Sequence, residues 1–530
     1  MNHFLRKIGF LLTLAVMFLN TGCKDEVFTE ITELETDRLF SPIGIEAKVT
    51  NRTQVVISWT KNTLAESYTL EVFENDSLTF TGSPVLTVDG ITNLDIPYTI
   101  SAGLIGQTQY SIRIKAIGVG IDESKWNGVY VKTGSEQIME EVVEADVTAS
   151  QVTINWPAGE TATHIVVSGG ASPVNHTVTA AEIAAGSAVV TGLTEDTNYE
   201  IRLMKDDKIR GTRQFSTLMD LTAAGTVVVA TGEDLLAAIS AAAPGTRIVI
   251  NPTNAGDEFL VGGANVDIDK ALSIRGYLKS KMPVVHAQFL ANTNDAALTV
   301  RDVVLNGLSE GVYRDHVLQL KVTGVDAGEF IFRDCVITNY NKSLVSGASN
   351  IFVSIAAFDI INSKVSNVLT NSADCIDVRS GCIISSKLIN STFYNVAPAR
   401  DFYRLDDASA SFVGKSTTVE VDRCTFFDVS DNASRRLLYI RFADNQVTFK
   451  NSLVVSTLGY HTNQNATNVS FANNYYFESP NFILNDVANA KLDVSGVKLT
   501  AAPTEVGDNL GITIVDPDLL GKGVGAVINW

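Results

Sequence analysis

Positive charge is scarce in this sequence. Forty lysines and arginines face 59 aspartates and glutamates, a net charge of −19 at neutral pH. A general binder of nucleic acid or of anionic membranes needs a basic surface, so both classes are disfavoured. Cysteine is equally sparse: Cys23, Cys335, Cys375, Cys382 and Cys424 are the full set, and no two form a C-x-x-C pair. That spacing argues against a metal knuckle. Apolar runs of membrane-spanning length are missing too. Residues 8–19 make a run of twelve, where a comfortable span takes about 20. What is present is length: 530 residues predict several domains.

Arg6 and Lys7 precede the short apolar run, and small residues follow it up to Cys23. A positive stretch, a short apolar stretch and a small-residue cleavage site make a secretory signal. Thr21-Gly22-Cys23 resembles the lipobox of bacterial lipoproteins, with Asn20 standing where that family prefers leucine and Leu19 one step back. The resemblance implies that residues 1–22 are removed and that Cys23 becomes an acylated N-terminus. Lys24-Asp25-Glu26 resembles the lysine-plus-acid signal of Bacteroidetes lipoproteins, which implies a lipid anchor on the outer membrane facing the cell exterior. Residues 23–40 read as a polar, acidic tether. Loss of the two basic residues of the signal takes the mature charge to −21.

Residues 41–134 contain short strands of period two, such as Val55-Val56-Ile57-Ser58-Trp59 and Tyr110-Ser111-Ile112-Arg113-Ile114. Alternation of this kind marks half-buried antiparallel strands, and their spacing suggests a sandwich. The arrangement resembles a fibronectin type III domain: Trp59 matches its core tryptophan, and Leu104 with Tyr110 matches its tyrosine corner. Residues 138–218 repeat the pattern with Trp156, Leu193 and Tyr199. The modules read as spacers first and as glycan binders second.

Beyond a linker, residues 225–530 begin with Thr231-Gly-Glu-Asp234, a capping-box-like start. An amphipathic helix follows and stops at Pro244-Gly245, ahead of the strand Arg247-Ile248-Val249-Ile250. An internal repeat comes next. Cys335, Ser363, Ser391, Cys424, Ser452 and Asn474 form one column at intervals of 28, 28, 33, 28 and 22 residues. Apolar columns lie three positions before it (Phe332, Ile360, Leu388, Val421, Phe449, Phe471) and two after it (Ile337, Val365, Phe393, Phe426, Val454, Tyr476). Polar columns, rich in asparagine, lie one before (from Asp334 to Asn473) and four after (Asn339, Asn367, Asn395, Asp428). Fixed-period self-similarity predicts a solenoid, with like residues stacked about 4.8 Å apart on neighbouring coils. No L-x-x-L-x-L frame supports a leucine-rich repeat. The helix, Pro-Gly and strand resemble the N-terminal cap of right-handed parallel β-helices of the pectate-lyase and chondroitinase-B type, with Thr246 where Asp is common. The expected fold is therefore all-β: two N-terminal fibronectin type III-like β-sandwiches followed by a right-handed parallel β-helix. Cys335 and Cys424 are expected to face inward as small buried residues.

Three segments after the repeat column are polar in a related way. They hold Asp377 and Arg379; Asp401, Tyr403, Arg404, Asp406 and Asp407; and Tyr439 and Arg441. Arg379, Arg404 and Arg441 fall 16, 13 and 17 residues after their column positions, so a shared outer face is expected. Arginine pairs bidentately with carboxylates and tyrosine rings pack on sugars, which suits an acidic polysaccharide, with Tyr403, Tyr439 and Asp377 as contacts. The lyase resemblance implies β-elimination at a uronate, with Arg379, Arg404 or Arg441 as base or carboxylate partner and Ca²⁺ as the alternative partner. Asp401, Asp406 and Asp407 are the candidate ligands for that hard cation. A hydrolase would instead use two of these aspartates as acid and base. An Arg–Asp ladder that merely stabilises an exposed sheet accounts for the same residues. His461 is expected at the surface or in a loop. The functional expectation is a surface lipoprotein acting on uronate polysaccharide, with a non-catalytic glycan-binding protein or an adhesin as alternatives.

Overall fold

The computed structural model describes residues 37–347, 349–484, 489–507 and 511–528. Cys23, the export signal and most of the tether lie outside these residues. Among the described residues no helix is long and apolar enough to cross a membrane.

The first module is a sandwich of two antiparallel sheets. One orders Glu46–Thr50, Gln54–Ser58 and Tyr98–Ile100, and the other orders Leu86–Ile91, Ser67–Glu74, Gln109–Ile117 and Asn127–Lys132. Period-two strands put Val55, Ile57, Leu70, Val72, Ile112 and Ile114 inside, around Trp59. Tyr110 is buried, and its hydroxyl accepts the Ile105 N–H at 2.8 Å, closing the expected tyrosine corner. The second module pairs Ser187–Thr191 with Gln151–Asn155 and orders Val174–Thr177, His164–Ser168, Asn198–Lys205 and Lys208–Ser216. Its Tyr199 hydroxyl accepts the Thr194 N–H at 2.8 Å. Both are fibronectin type III-like sandwiches. Glu136, between them, accepts from Gly106 N–H of the first module at 3.1 Å and from the buried Arg210 of the second at 2.7 and 3.1 Å.

The remainder is a parallel β-helix. Leu235–Ala241 is a helix capped by the Asp234 carboxylate, which accepts the Ala237 N–H at 3.0 Å. It covers the first coil with Leu235 and Ile239. Three walls then rise together. Wall I is a ten-stranded parallel sheet from Thr226–Ala230 to Val469–Ala472. Walls II and III are the two halves of a fifteen-stranded sheet that meet in the long strand Val284–Ala291. Wall II runs through Val336–Tyr340, Lys364–Val368, Thr392–Val396, Thr425–Val429 and Leu453–Val455; wall III runs through His316–Leu320, Ser343–Gly347, Ile376–Asp377, Tyr403–Leu405 and Leu438–Ile440.

Coil register follows the repeat columns residue for residue. Phe332, Ile360, Leu388, Val421, Phe449 and Phe471 pair successively in wall I. Ile337, Val365, Phe393, Phe426, Val454 and Tyr476 do so in wall II. Phe393, Phe426 and Phe449 stack with centroids 5.1 and 5.6 Å apart. The corner between these walls needs one left-handed residue per coil, and Asp334, Asn362, Asn390, Arg423, Asn451 and Asn473 all have φ between 46 and 55°. Asparagine tolerates that region because its amide bonds locally. Here the amides also bond upward: Asn390 donates to Asn362, and Asn473 to Asn451, each at 2.8 Å. Asn395, Asn367 and Asn339 form a second ladder at the next corner, with bonds of 2.8 and 3.2 Å. The inward column works alike. Ser363 Oγ accepts the Cys335 N–H, and Ser452 Oγ the Cys424 N–H, at 3.1 Å. Cys335 and Cys424 are fully buried.

Candidate functional site

Wall III carries the polar face. Its register stacks Asp377 beside Arg404 and Arg404 beside Tyr439. Continuing that register past the backbone bonds of Val378 and Arg441 puts Arg379, Asp406 and Arg441 in the next outward column. On this face each guanidinium therefore stands next to a carboxylate or a ring. Coulomb repulsion between like charges one strand spacing apart makes this the lower-energy arrangement.

Asp374, Asp377 and Asp401 lie deep beneath the guanidinium groups, while Asp406 is level with Arg404 at 23% exposed. Asp374 and Asp401 have side chains only 1% exposed, against 23% for Arg404 and 37% for Arg441. Asp374 accepts from Arg379 and Arg404, each at 3.2 Å, and faces Arg400 at 3.4 Å. Asp401 holds Arg436 through two guanidinium nitrogens, at 3.0 and 2.6 Å, and its backbone N–H at 2.9 Å. Asp377 is bound by Arg379 at 2.5 Å and Asp406 by Arg404 at 3.0 Å. The Tyr439 ring meets three guanidinium groups: Arg436 at 3.9 Å and Arg404 and Arg441 at 5.2 Å from its centroid. Attraction of a cation to a ring face holds them there. With the exposed Asp407 beside Arg441, five arginines meet five aspartates, so the face is locally neutral within a strongly negative protein.

This geometry decides several sequence expectations. A catalytic arginine base needs cationic neighbours that lower its pKa. Instead the bonds to Asp377 push the Arg379 guanidinium above the usual arginine range. Burial alone would lower Arg404, yet its bonds to Asp406 and Asp374 carry it well above that range. Tyr403 does not face solvent: it is fully buried among the core residues, and burial pushes its phenol up. The aspartates do not form a calcium site. Asp401 is taken by Arg436, Asp406 by Arg404 and Arg441, and the exposed Asp407 accepts from the Ser409 hydroxyl at 2.6 Å. Among the described residues no group of three or more His, Cys, Asp or Glu side chains is arranged to hold a metal ion. A hard cation wants six or more oxygens, and this donor set does not fit one. His461 lies in the irregular segment between Leu453–Val455 and Val469–Ala472, yet not at the surface: it is fully buried between Phe449, Phe471 and Phe482. Burial lowers its pKa to about 3.

Sequence reasoning missed Asp374, Arg400 and Arg436. Asp374, Asp401 and Arg436 occupy one register, two residues before the paired Ile376, Tyr403 and Leu438. Extending the wall III column backward by that step finds Asp374 and Arg436, while Arg400, one residue before Asp401, carries no such signal. The 33-residue interval between Ser391 and Cys424 also has a cause. The extra residues form a loop around Ser409–Ser411, whose Lys415 reaches back to Asp326 and Ser354 at 2.6 and 2.7 Å. That loop edges the wall III face.

The class defined by this architecture is an all-β protein in which two fibronectin type III-like modules precede a parallel β-helix. Residues 258–396, about a quarter of the chain, match the model of a domain of unknown function, DUF4957. No curated protein matches the chain. Solved structures similar to it include a two-domain fibronectin type III segment of chicken tenascin, 17% identical, covering 33% of this chain and 97% of that one with a TM-score of 0.23. The central fibronectin III array of RIM-binding protein is 16% identical, covering 35% and 63%, with a TM-score of 0.14. The FN1–FN3 domains of chicken CNTN1 are 15% identical, covering 33% and 66%, with a TM-score of 0.15. With scores this low, the description of the modules rests on their own strand orders and tyrosine corners.

Proposed function

We propose that this chain is a surface glycan-binding protein that holds acidic, uronate-containing polysaccharide against wall III without cleaving it. The observation that carries the reading is the cluster of Arg404, Arg436 and Arg441 around the Tyr439 ring, with Asp374 and Asp401 recessed beneath it. A polyanion meets these guanidinium groups first, and the ring offers an apolar surface to a sugar face. The rest of the protein is strongly negative, which confines such a ligand to this face. A lyase would need an arginine that gives up its proton, and the pairing of Arg379 and Arg404 opposes that. Acylation of Cys23 and the two modules would present the β-helix outward, where polymers too large for membrane pores are found.

Affinity electrophoresis through gels containing pectin, alginate or chondroitin sulfate tests this. Retention of the mature protein is expected, weakened about tenfold or more in Arg404→Ala and reduced by added salt. Absorbance from unsaturated uronates should stay flat. Absence of retention on every polymer would sink the proposal, and a rise in absorbance would restore the lyase.

A further inference from the structure

The pole of the first module at which the chain enters is apolar. Phe40, Ile43, Leu64, Leu94 and Val119 are between 63 and 93% exposed. They come from four separate stretches, which backbone bonds gather at this pole. The Leu39 N–H donates to Asp122 O and the Thr60 N–H to Ile43 O, each at 2.9 Å. The Asn93 amide donates to Asn62 O at 3.0 Å, which ties the turn carrying Leu94 to the loop carrying Leu64. A Cβ on Gly118 would stand 3.3 Å from the Leu64 carbonyl oxygen, so the loop of Val119 packs there too. Phe40 and Ile43 line a groove with Thr60 and Lys61. Apolar residues scattered singly over a surface need no explanation, whereas a group of them rimmed by polar residues marks a protein or membrane contact.

Position in the chain says what covers this pole. The opposite pole carries the second module: there the Gly134 N–H donates to Arg52 O at 2.7 Å and the Gly106 N–H to Glu136 at 3.1 Å. Asp37 lies at the apolar pole, where its carbonyl accepts the Asp122 N–H at 3.1 Å. Cys23 stands fourteen positions before it, and a stretch of that length reaches at most about 50 Å. An acyl group on Cys23 therefore keeps this pole, of the whole body, nearest to the lipid. Charge decides which lipid fits. Residues 37–45, 59–66, 92–97 and 118–126 hold five acids and three bases, so an anionic surface gains nothing there. The attraction is that of apolar side chains for the boundary between headgroups and acyl chains.

We propose that the entry pole of the first module beds Phe40, Ile43, Leu64, Leu94 and Val119 into a zwitterionic lipid interface beside the anchored Cys23. The inference rests on the acylation of Cys23 put forward above and is independent of the reading given to wall III. Its consequence is a stance. A chain held by its lipid alone can lie down on the membrane, whereas a module seated by one pole stands on it. The second module and the β-helix then follow from the opposite pole, away from the surface.

The test is electron paramagnetic resonance on the acylated full chain in phosphatidylcholine vesicles, with a nitroxide on Leu94→Cys or Val119→Cys. Cys335, Cys375, Cys382 and Cys424 are buried, so the reagent reaches the introduced thiol. Both labels should lose access to a water-soluble nickel chelate and keep access to oxygen, as groups in lipid do. A label on Val413→Cys, an exposed position of the β-helix, should stay open to nickel. Phe40→Asp combined with Ile43→Asp, both at exposed positions, should restore nickel access at the pole while the lipid keeps the protein on the vesicle. Labels at Leu94 and Val119 as open to nickel as that at Val413 overturn the proposal, and so does a double variant that changes nothing. Spin–spin broadening between chains would put a second copy on the pole and overturn it too. Mass spectrometry of the mature N-terminus separates the two readings. Without a lipid on Cys23 both fall; with the lipid present and the pole in water, only this inference falls.

Discussion

Replacing Asp374 by alanine isolates the role of the recessed carboxylates. Asp374 is fully buried, accepts from Arg379 and Arg404, faces Arg400 and also accepts the Asp401 N–H at 3.1 Å. Removing one partner of a buried ion pair costs about 3–5 kcal/mol. The guanidinium groups are about a fifth exposed and keep Asp377 and Asp406, so solvent screening places the cost at the low end, about 3 kcal/mol. For a domain this large that lowers the midpoint by about 5–10 °C. The chain supplies its own control. Trp59, Trp126 and Trp156 all lie in the sandwich modules, and the one remaining tryptophan is Trp530. In a Trp530→Phe background tryptophan fluorescence follows the modules alone, and far-UV circular dichroism follows mainly the β-helix. The β-helix transition should drop in Asp374→Ala while the fluorescence transition stays in place. Asp407→Ala, whose exposed carboxylate is held chiefly by Ser409, should stay within about 0.5 kcal/mol of wild type. If Asp374→Ala melts like Asp407→Ala, the recessed layer holds nothing together and the account of wall III fails.

Two further predictions concern buried polar groups. Tyr110→Phe leaves the Ile105 N–H without its acceptor and should destabilise the first module by about 1–3 kcal/mol. Trp59 fluorescence during urea unfolding reads this directly, and an unchanged midpoint would refute the tyrosine corner's energetic role. His461 is held neutral by burial, with a folded pKa of about 3 against 6.5 for the free side chain. The unfolded chain thus binds the extra proton between these values, so stability is lost as pH falls from about 6.5 toward 3, by up to about 1.4 kcal/mol per unit. In His461→Phe this part of the slope should disappear; an unaltered slope would show that other groups carry it.

The repeat was legible in the sequence because a solenoid stacks like on like. Each coil imposes the same demands on the same position: an apolar residue at Phe332 or Ile360, a left-handed corner at Asn362 or Asn390, a hydroxyl acceptor at Ser363 or Ser391. One-dimensional periodicity therefore carries the three-dimensional register, and the sandwiches were legible for the same local reason, through period-two strands and the tyrosine corners. The outer face obeys no such rule. Whether Tyr403 points in while Arg404 points out depends on where wall III turns its corner, and both Phe402 and Tyr403 end up buried. His461 reads as an isolated polar residue until Phe449, Phe471 and Phe482 close around it from other coils. Charge placement is likewise a tertiary matter. Arginines and acids alternate on wall III because neighbouring strands put Asp377 beside Arg404 and Arg441 beside Asp406, and a cavity beside Asp302 exists only because a separate module docks over it. The sequence by itself determined what repeats along the chain. Tertiary packing decided which side chains meet on the outer face and between domains, because those neighbours come from loops and modules that the repeat spacing does not encode.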